Sequence, residues 1–156
     1  MMFCATKIAA SNVNGKGHIN CSSFKTSDRA HLTDNKRESF TDTDIYEIID
    51  KICLDTFITQ HGISNIDVIK IDTERHEKEV LHGLGRCIQI MRPAIIIEVL
   101  SDDLGDQIGS LVKGLNYLYY NIDENGGIRK TNEITKSDYF NYLLCNEKQA
   151  RQLNLV

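Results

Sequence analysis

The sequence predicts an α/β fold: one mostly parallel sheet with helices packed on it. Three observations lead there. Ile66 to Asp72 and Ala94 to Leu100 are short apolar runs, as strands of a buried sheet are. Between them Val80, Leu81, Leu84, Ile88 and Met91 recur at helical spacing, which makes a β-α-β unit. Strand and helix signals keep alternating to Cys145. The two runs carry Asp72 and Glu98 to the carboxyl edge of the sheet, where open α/β sheets bind their ligands.

Taken in order, Lys7 to Ala10 reads as a short strand, and Asn12 to Gly17 as a turn, because Asn and Gly tolerate positive φ. His18 to Phe24 then closes a hairpin. Ser22 to Asp44 is polar, with few large apolar residues, and reads as a long loop. Residues 1–44 are thus a loosely defined strand, hairpin and loop, and residues 45–156 form the α/β domain. Ile45 to Phe57 has mixed character and ends in a short helix around Leu54 to Ile58.

After the strand at 66–72, Thr73 is placed to cap the next helix, with Glu74 and Glu77 in a first turn where the helix dipole favours carboxylates. Pro93, the one proline, ends that helix and opens the strand 94–100. Ser101 caps a helix with Asp102 and Asp103 in its first turn and Ile108, Leu111, Val112 and Leu115 inward. Leu118 to Ile122 is a strand, Asp123 to Gly127 a turn, Tyr139 to Cys145 the last strand and Glu147 to Leu153 a terminal helix.

The composition suits an ordinary globular domain, 41% hydrophobic and 26% charged. A net charge of −4 argues against nucleic acid, which needs a basic face. Residues 1–40 carry six Lys and Arg against three Asp and Glu, a local +3 that reads as a solvated basic region. No apolar stretch approaches the roughly 20 residues that span a bilayer. The five cysteines show no metal-ligand spacing, so no metal is expected, and they fit a cytoplasmic protein with reduced thiols.

The stretch I-D-V-I-K-I-D-T-E-R-H-E-K-E-V-L-H-G, residues 66–83, resembles the signature of FkbM-type methyltransferases, apolar-apolar-K-I-D-V-E-G-x-E-x-E-V-L-x-G. Cys53 to Phe57 is similar to the family's L-D element. Arg92 to Val99 is similar to its proline-led strand ending in Glu, and Ala9 to Gly15 to its third strand and turn. The resemblance implies a class I methyltransferase-like, Rossmann-like sheet of order 3-2-1-4-5-7-6, mostly parallel, with a last antiparallel hairpin. It implies S-adenosylmethionine as cofactor and a hydroxyl acceptor on a sugar or natural product.

Two departures stand out. The glycine-rich D-V-G-A-N-x-G turn that cradles the cofactor, and the acidic strand after it, have no match, so the first two strands are expected to be absent and the chain to be truncated. The glycine of D-V-E-G is Arg75; if that position needs positive φ or lies against ligand, the side chain costs about 1 kcal/mol or more and fills part of the site.

The candidate residues follow. Asp72, at the strand end, is the catalytic and cofactor-side candidate, weighed against a helix-capping role. His76 is the base that titrates near neutrality, weighed against an exposed helical histidine. Glu74 and Glu77 are candidates to bind acceptor hydroxyls, weighed against dipole compensation. Glu98 interrupts an apolar strand, so it either reaches the ligand edge or pairs with Lys70. Loss of two central strands leaves the third strand without neighbours and the fourth with an open edge, which invites a homodimer or a partner chain that completes the sheet. The alternative to an enzyme is a non-catalytic remnant that keeps the fold as a binding module.

Overall fold

The alternating runs assemble into two sheets in a computed structural model of the chain, which describes residues 5–21, 30–33 and 45–156. The first sheet holds β1 (Ala9–Ser11), β2 (Gly15–Cys21), β3 (Ala30–Thr33) and β4 (Ile45–Cys53), in the order β1-β4-β2-β3. The second holds β5 (Val68–Ile71), β6 (Ala94–Glu98), β7 (Leu118–Asp123), β8 (Gly127–Thr131) and β9 (Asn141–Cys145), in the order β5-β6-β9-β7-β8. Five helices complete the described chain: α1 (Leu54–Gln60), α2 (Glu77–Gly83), α3 (Gly85–Met91), α4 (Asp102–Leu111) and α5 (Glu147–Gln152).

The expectation of one mostly parallel sheet is corrected. Among the described residues only β1 with β4 and β5 with β6 pair in parallel. The other five pairings are antiparallel. The physical reason is connection length. β7 turns into β8 through the tight loop 124–126, which joins neighbours antiparallel. β9 inserts between β6 and β7 in the opposite direction to both. Even so, β5, β6, β9 and β7 stand in the expected order 4-5-7-6, with β8 added at the edge.

The N-terminal hairpin also differs. β2 pairs with β3 and β4, whereas β1 runs parallel to β4. So β1, the expected third strand, does have a neighbour. Within the stretch read as a loop, Ala30–Thr33 is a strand on β2, and Ile45–Cys53 is a nine-residue strand rather than a mixed segment. Residues 22–29 and 34–44, the rest of that stretch, lie outside the described residues.

The single helix expected after Asp72 starts later and is broken. Its N-cap is His76, not Thr73, and it stops at Leu84, between Gly83 and Gly85. Glycine weakens a helix interior by about 1 kcal/mol. The new helix start is capped from afar: Asp55 of α1 accepts hydrogen bonds from the amides of Arg86 (2.8 Å) and Cys87 (2.9 Å). Burial raises the Asp55 carboxyl, but these hydrogen bonds and the Arg86 charge outweigh it and hold it below its ordinary range.

Helices cover both faces of the second sheet. Ile95 and Ile97 of β6 lie with Leu81, Leu84, Ile108 and Leu144 in the larger core, all nearly free of solvent. Ala94, Leu143 and Cys145 join Tyr120 and Ala150 of α5 on the other face. α2 seats so closely on β1 that a Cβ at Gly83 would stand 2.0 Å from the Ser11 carbonyl oxygen. Tyr117 donates to the Pro93 carbonyl at 2.7 Å, and burial pushes its phenol up to about 12. β5 has β6 on one side and no described strand on the other, and its Val68 is 58% exposed. Among the described residues no helix is long and apolar enough to cross a membrane.

Candidate functional site

β5 and β6 run parallel in register, Lys70 beside Ile96 and Ile71 beside Ile97, so both chains leave the sheet at the same edge. The segment 72–76 after β5 and the segment 99–101 after β6 form that edge. Asp72, Glu74, Glu77 and Glu98 converge here closely enough for the first three to act on Glu98 electrostatically. His76 does not join them.

Each carboxylate has a different situation. Asp72 is half-exposed and takes a hydrogen bond from Lys70 Nζ at 2.8 Å. Lys70 also reaches Asn141 Oδ1 at 3.3 Å, and Asn141 Nδ2 donates to Glu124 at 3.0 Å. Lys70 therefore hydrogen-bonds Asp72 and acts on Glu98 through its charge. Asn141 is a site residue that sequence reasoning missed; only the register of β9 on β6, Asn141 opposite Glu98, places it here.

Glu77 is fully buried. Its Oε1 accepts from the Thr73 amide (2.8 Å), the Thr73 hydroxyl (3.1 Å) and the Arg75 amide (3.2 Å). One carboxylate thus ties down the segment after β5, a job that the apolar pattern does not announce. That segment bends through two left-handed residues, Glu74 (φ 51°) and Arg75 (φ 77°). A non-glycine residue pays about 1–2 kcal/mol for that conformation. The expected strain at the former glycine position is present. Arg75→Gly should accordingly raise stability by about 1 kcal/mol in urea unfolding; an unchanged midpoint would mean the residue is not left-handed in solution.

Glu98 is partly exposed, yet its Oε2 is buried with no hydrogen-bond partner among the described residues. Burial, then the charges of Asp72, Glu74 and Glu77, push its carboxyl above the usual 4.5, and Lys70 offsets only part of this. A carboxyl raised on folding favours the folded state while protonated. Its contribution is complete below the unfolded value and is lost as pH rises through the folded one. Glu98→Gln should therefore raise Tm at neutral pH and change it little near pH ~4. A variant less stable at neutral pH would contradict this.

His76 points to β1. Its Nε2 stands 3.0 Å from Ser11 Oγ, and its Nδ1 3.7 Å from Glu79. With its side chain 15% exposed, it is not the solvated helical histidine of the bland reading. It lines a cavity of about 350 Å³ with Ile8, Ala10, Ile19, Leu32 and Thr73.

A second cavity, of about 310 Å³, opens between the two loops themselves, lined by Arg75, Lys78, Glu79, Leu100, Ser101 and Asp103 among others. Arg75 borders open space here and does not close it. Ser101 caps α4 as expected, accepting from the Leu104 amide at 3.2 Å. Among the described residues no three His, Cys, Asp or Glu side chains are grouped to hold a metal ion.

Compared with known families, residues 5–126 match the model described as the methyltransferase FkbM domain. No curated protein and no solved structure matches the chain. The match spans well over half of the sequence and both loops of the carboxyl edge, and the chain belongs to the FkbM methyltransferase domain family.

Proposed function

We propose that the chain provides the acceptor side of an S-adenosylmethionine-dependent O-methyltransferase that acts on a hydroxyl of a sugar or natural product. The observation that carries this reading is the convergence of Asp72, Glu74 and Glu98 at the carboxyl edge of β5 and β6 in a chain of this family. S-adenosylmethionine, when bound, supplies an activated methyl group.

The chain's own part is positioning and proton removal, which together account for most of the rate in such a transfer. Asp72, fixed by Lys70, orients the acceptor hydroxyl. Glu98 takes its proton, burial and the neighbouring carboxylates having pushed its own carboxyl upward. Glu74 accepts from neighbouring hydroxyls. Glu77 and His76 shape the loop, the one from beneath it and the other against β1.

The residues present do not form a full cradle for the cofactor. The sequence contains no D-x-G-x-N turn, and no described strand stands on the outer side of β5. On this reading a second chain completes the sheet at the open β5 edge. A reducing, cytoplasmic setting agrees with the free thiols of Cys53, Cys87 and Cys145.

The incomplete cradle also favours the second reading, a non-catalytic binding module. Incubation with methyl-labelled S-adenosylmethionine and a panel of sugars and polyols separates the two. Label recovered in an acceptor ether supports the enzyme. Acceptor binding without label transfer, at any chain concentration, leaves the module.

A further inference from the structure

We infer that the acceptor is an acidic carbohydrate, whose anionic group is held by Arg75 and Lys78 in the cavity between α2 and α4. This rests on the acceptor-side reading and names the substrate class for it.

Four observations meet at this place. The cavity, about 310 Å³, lies at the low end of small-molecule sites and sits between the loops that leave β5 and β6. It continues past Lys78 and Gln107 into a neighbouring hollow of about 340 Å³ along α4, bordered by Asp106, Ser110 and Leu111. There is room for an elongated ligand.

The charges are arranged unequally. Neither Arg75 nor Lys78 forms an ion pair among the described residues. The nearby carboxylates have contacts of their own. Glu79 faces His76 at 3.7 Å, Asp103 accepts from Gln107 Nε2 at 2.6 Å, and Asp102 accepts from the Lys136 amide at 2.8 Å. These contacts leave the charges of Glu79 and Asp103 in place, so the wall carries both signs, and Arg75 and Lys78 are its two cations without an ion pair among the described residues.

The backbone at Arg75 is the last observation. At φ 77° glycine would fit without strain, yet the position holds the longest cationic side chain. A planar guanidinium binds carboxylate, sulfate or phosphate through two parallel hydrogen bonds, which lysine cannot imitate. The same loop carries Asp72 and Glu74, outside the cavity lining itself, whose carboxylates are acceptors suited to hydroxyls. A ligand that satisfies both ends has hydroxyls on one part and an anion on another. A uronic acid has that form.

The test is binding of glucuronate, glucose and inorganic sulfate to the full chain, followed by calorimetry or a shift in Tm. Glucuronate should bind roughly tenfold or more tightly than glucose, the margin a charge-assisted pair supplies. Arg75→Gly, which relieves strain and so keeps the fold, should remove that margin and leave glucose unchanged. Arg75→Lys should restore only part of it. Equal binding of glucuronate and glucose by the parent chain would overturn the inference, as would an unchanged margin in Arg75→Gly. Sulfate that binds as tightly as glucuronate would reduce the place to a simple anion site and overturn it as well. Absence of methyl transfer in the labelled assay with this margin intact would remove the enzymatic reading and leave the acidic-sugar site standing.

Discussion

Gly83→Ala should destabilise the chain by about 3 kcal/mol, close to the upper end for overpacking, and lower Tm by roughly 10 °C. The added Cβ would lie 2.0 Å from the Ser11 carbonyl oxygen and 3.0 Å from its carbon. Both are backbone atoms of β1, so no side chain can swing aside. α2 would have to lift off the first sheet, and the contact of His76 with Ser11 would go with it. Gly109→Ala is the matched control, because nothing stands within 4 Å of a Cβ there. It should gain up to about 1 kcal/mol from helix propensity alone. Thermal unfolding of the two variants side by side decides. If Gly83→Ala melts with the parent, α2 is not seated on β1 as described.

Glu77→Ala should cost about 3 kcal/mol and also loosen the segment 73–76. Its Oε1 is the acceptor for three donors of the segment 73–75, and the side chain is fully buried. Hydrogen bonds to a charged group contribute about 1.5–3 kcal/mol each, and removal of the buried Oε2, which has no hydrogen-bond partner among the described residues, offsets part of their loss. The loop would no longer hold Glu74 and Arg75 in left-handed conformations that they do not prefer. Urea unfolding measures the first effect and hydrogen exchange at residues 73–76 the second. A midpoint near the parent's, with exchange at 73–76 no faster, would show that another group holds the loop.

The two predictions concern what the sequence did not announce. Its apolar periodicity exposed the strands 68–71 and 94–98 and the core positions between them, because burial is written into residue type. It exposed the carboxylates of the edge for the same reason: a Glu inside A-I-I-I-E-V-L is conspicuous. The direction of β9 was not legible in the periodicity, since a period of two is the same for parallel and antiparallel neighbours, and only the family resemblance implied an antiparallel hairpin there. Nor was the break at Leu84, whose stabilising cap comes from Asp55, 31 residues before Arg86. β4 was hidden by Lys51 and Asp50, which interrupt the alternation of Ile48, Ile49 and Ile52.

The candidate site was legible in part. Four of its carboxylates were named from the sequence and are brought together. The role of Glu77 was not, because a buried carboxylate that binds loop amides has the same spacing as one that faces a helix dipole. His76 was named for its chemistry, but its direction depends on β1, which lies 65 residues earlier in the chain at Ser11. Lys78 became visible only when α2 and α4 were placed side by side.

The central claim is that the crevice between the loops after β5 and β6 receives the acceptor. Amide NMR spectra of the labelled chain, recorded as glucuronate is added, test it most directly. The account predicts saturable shifts confined to residues 72–79 and 98–107, with the cavity beside Asn121 and Tyr139 unmoved. Shifts centred on that other cavity, or none at saturating sugar, would contradict it.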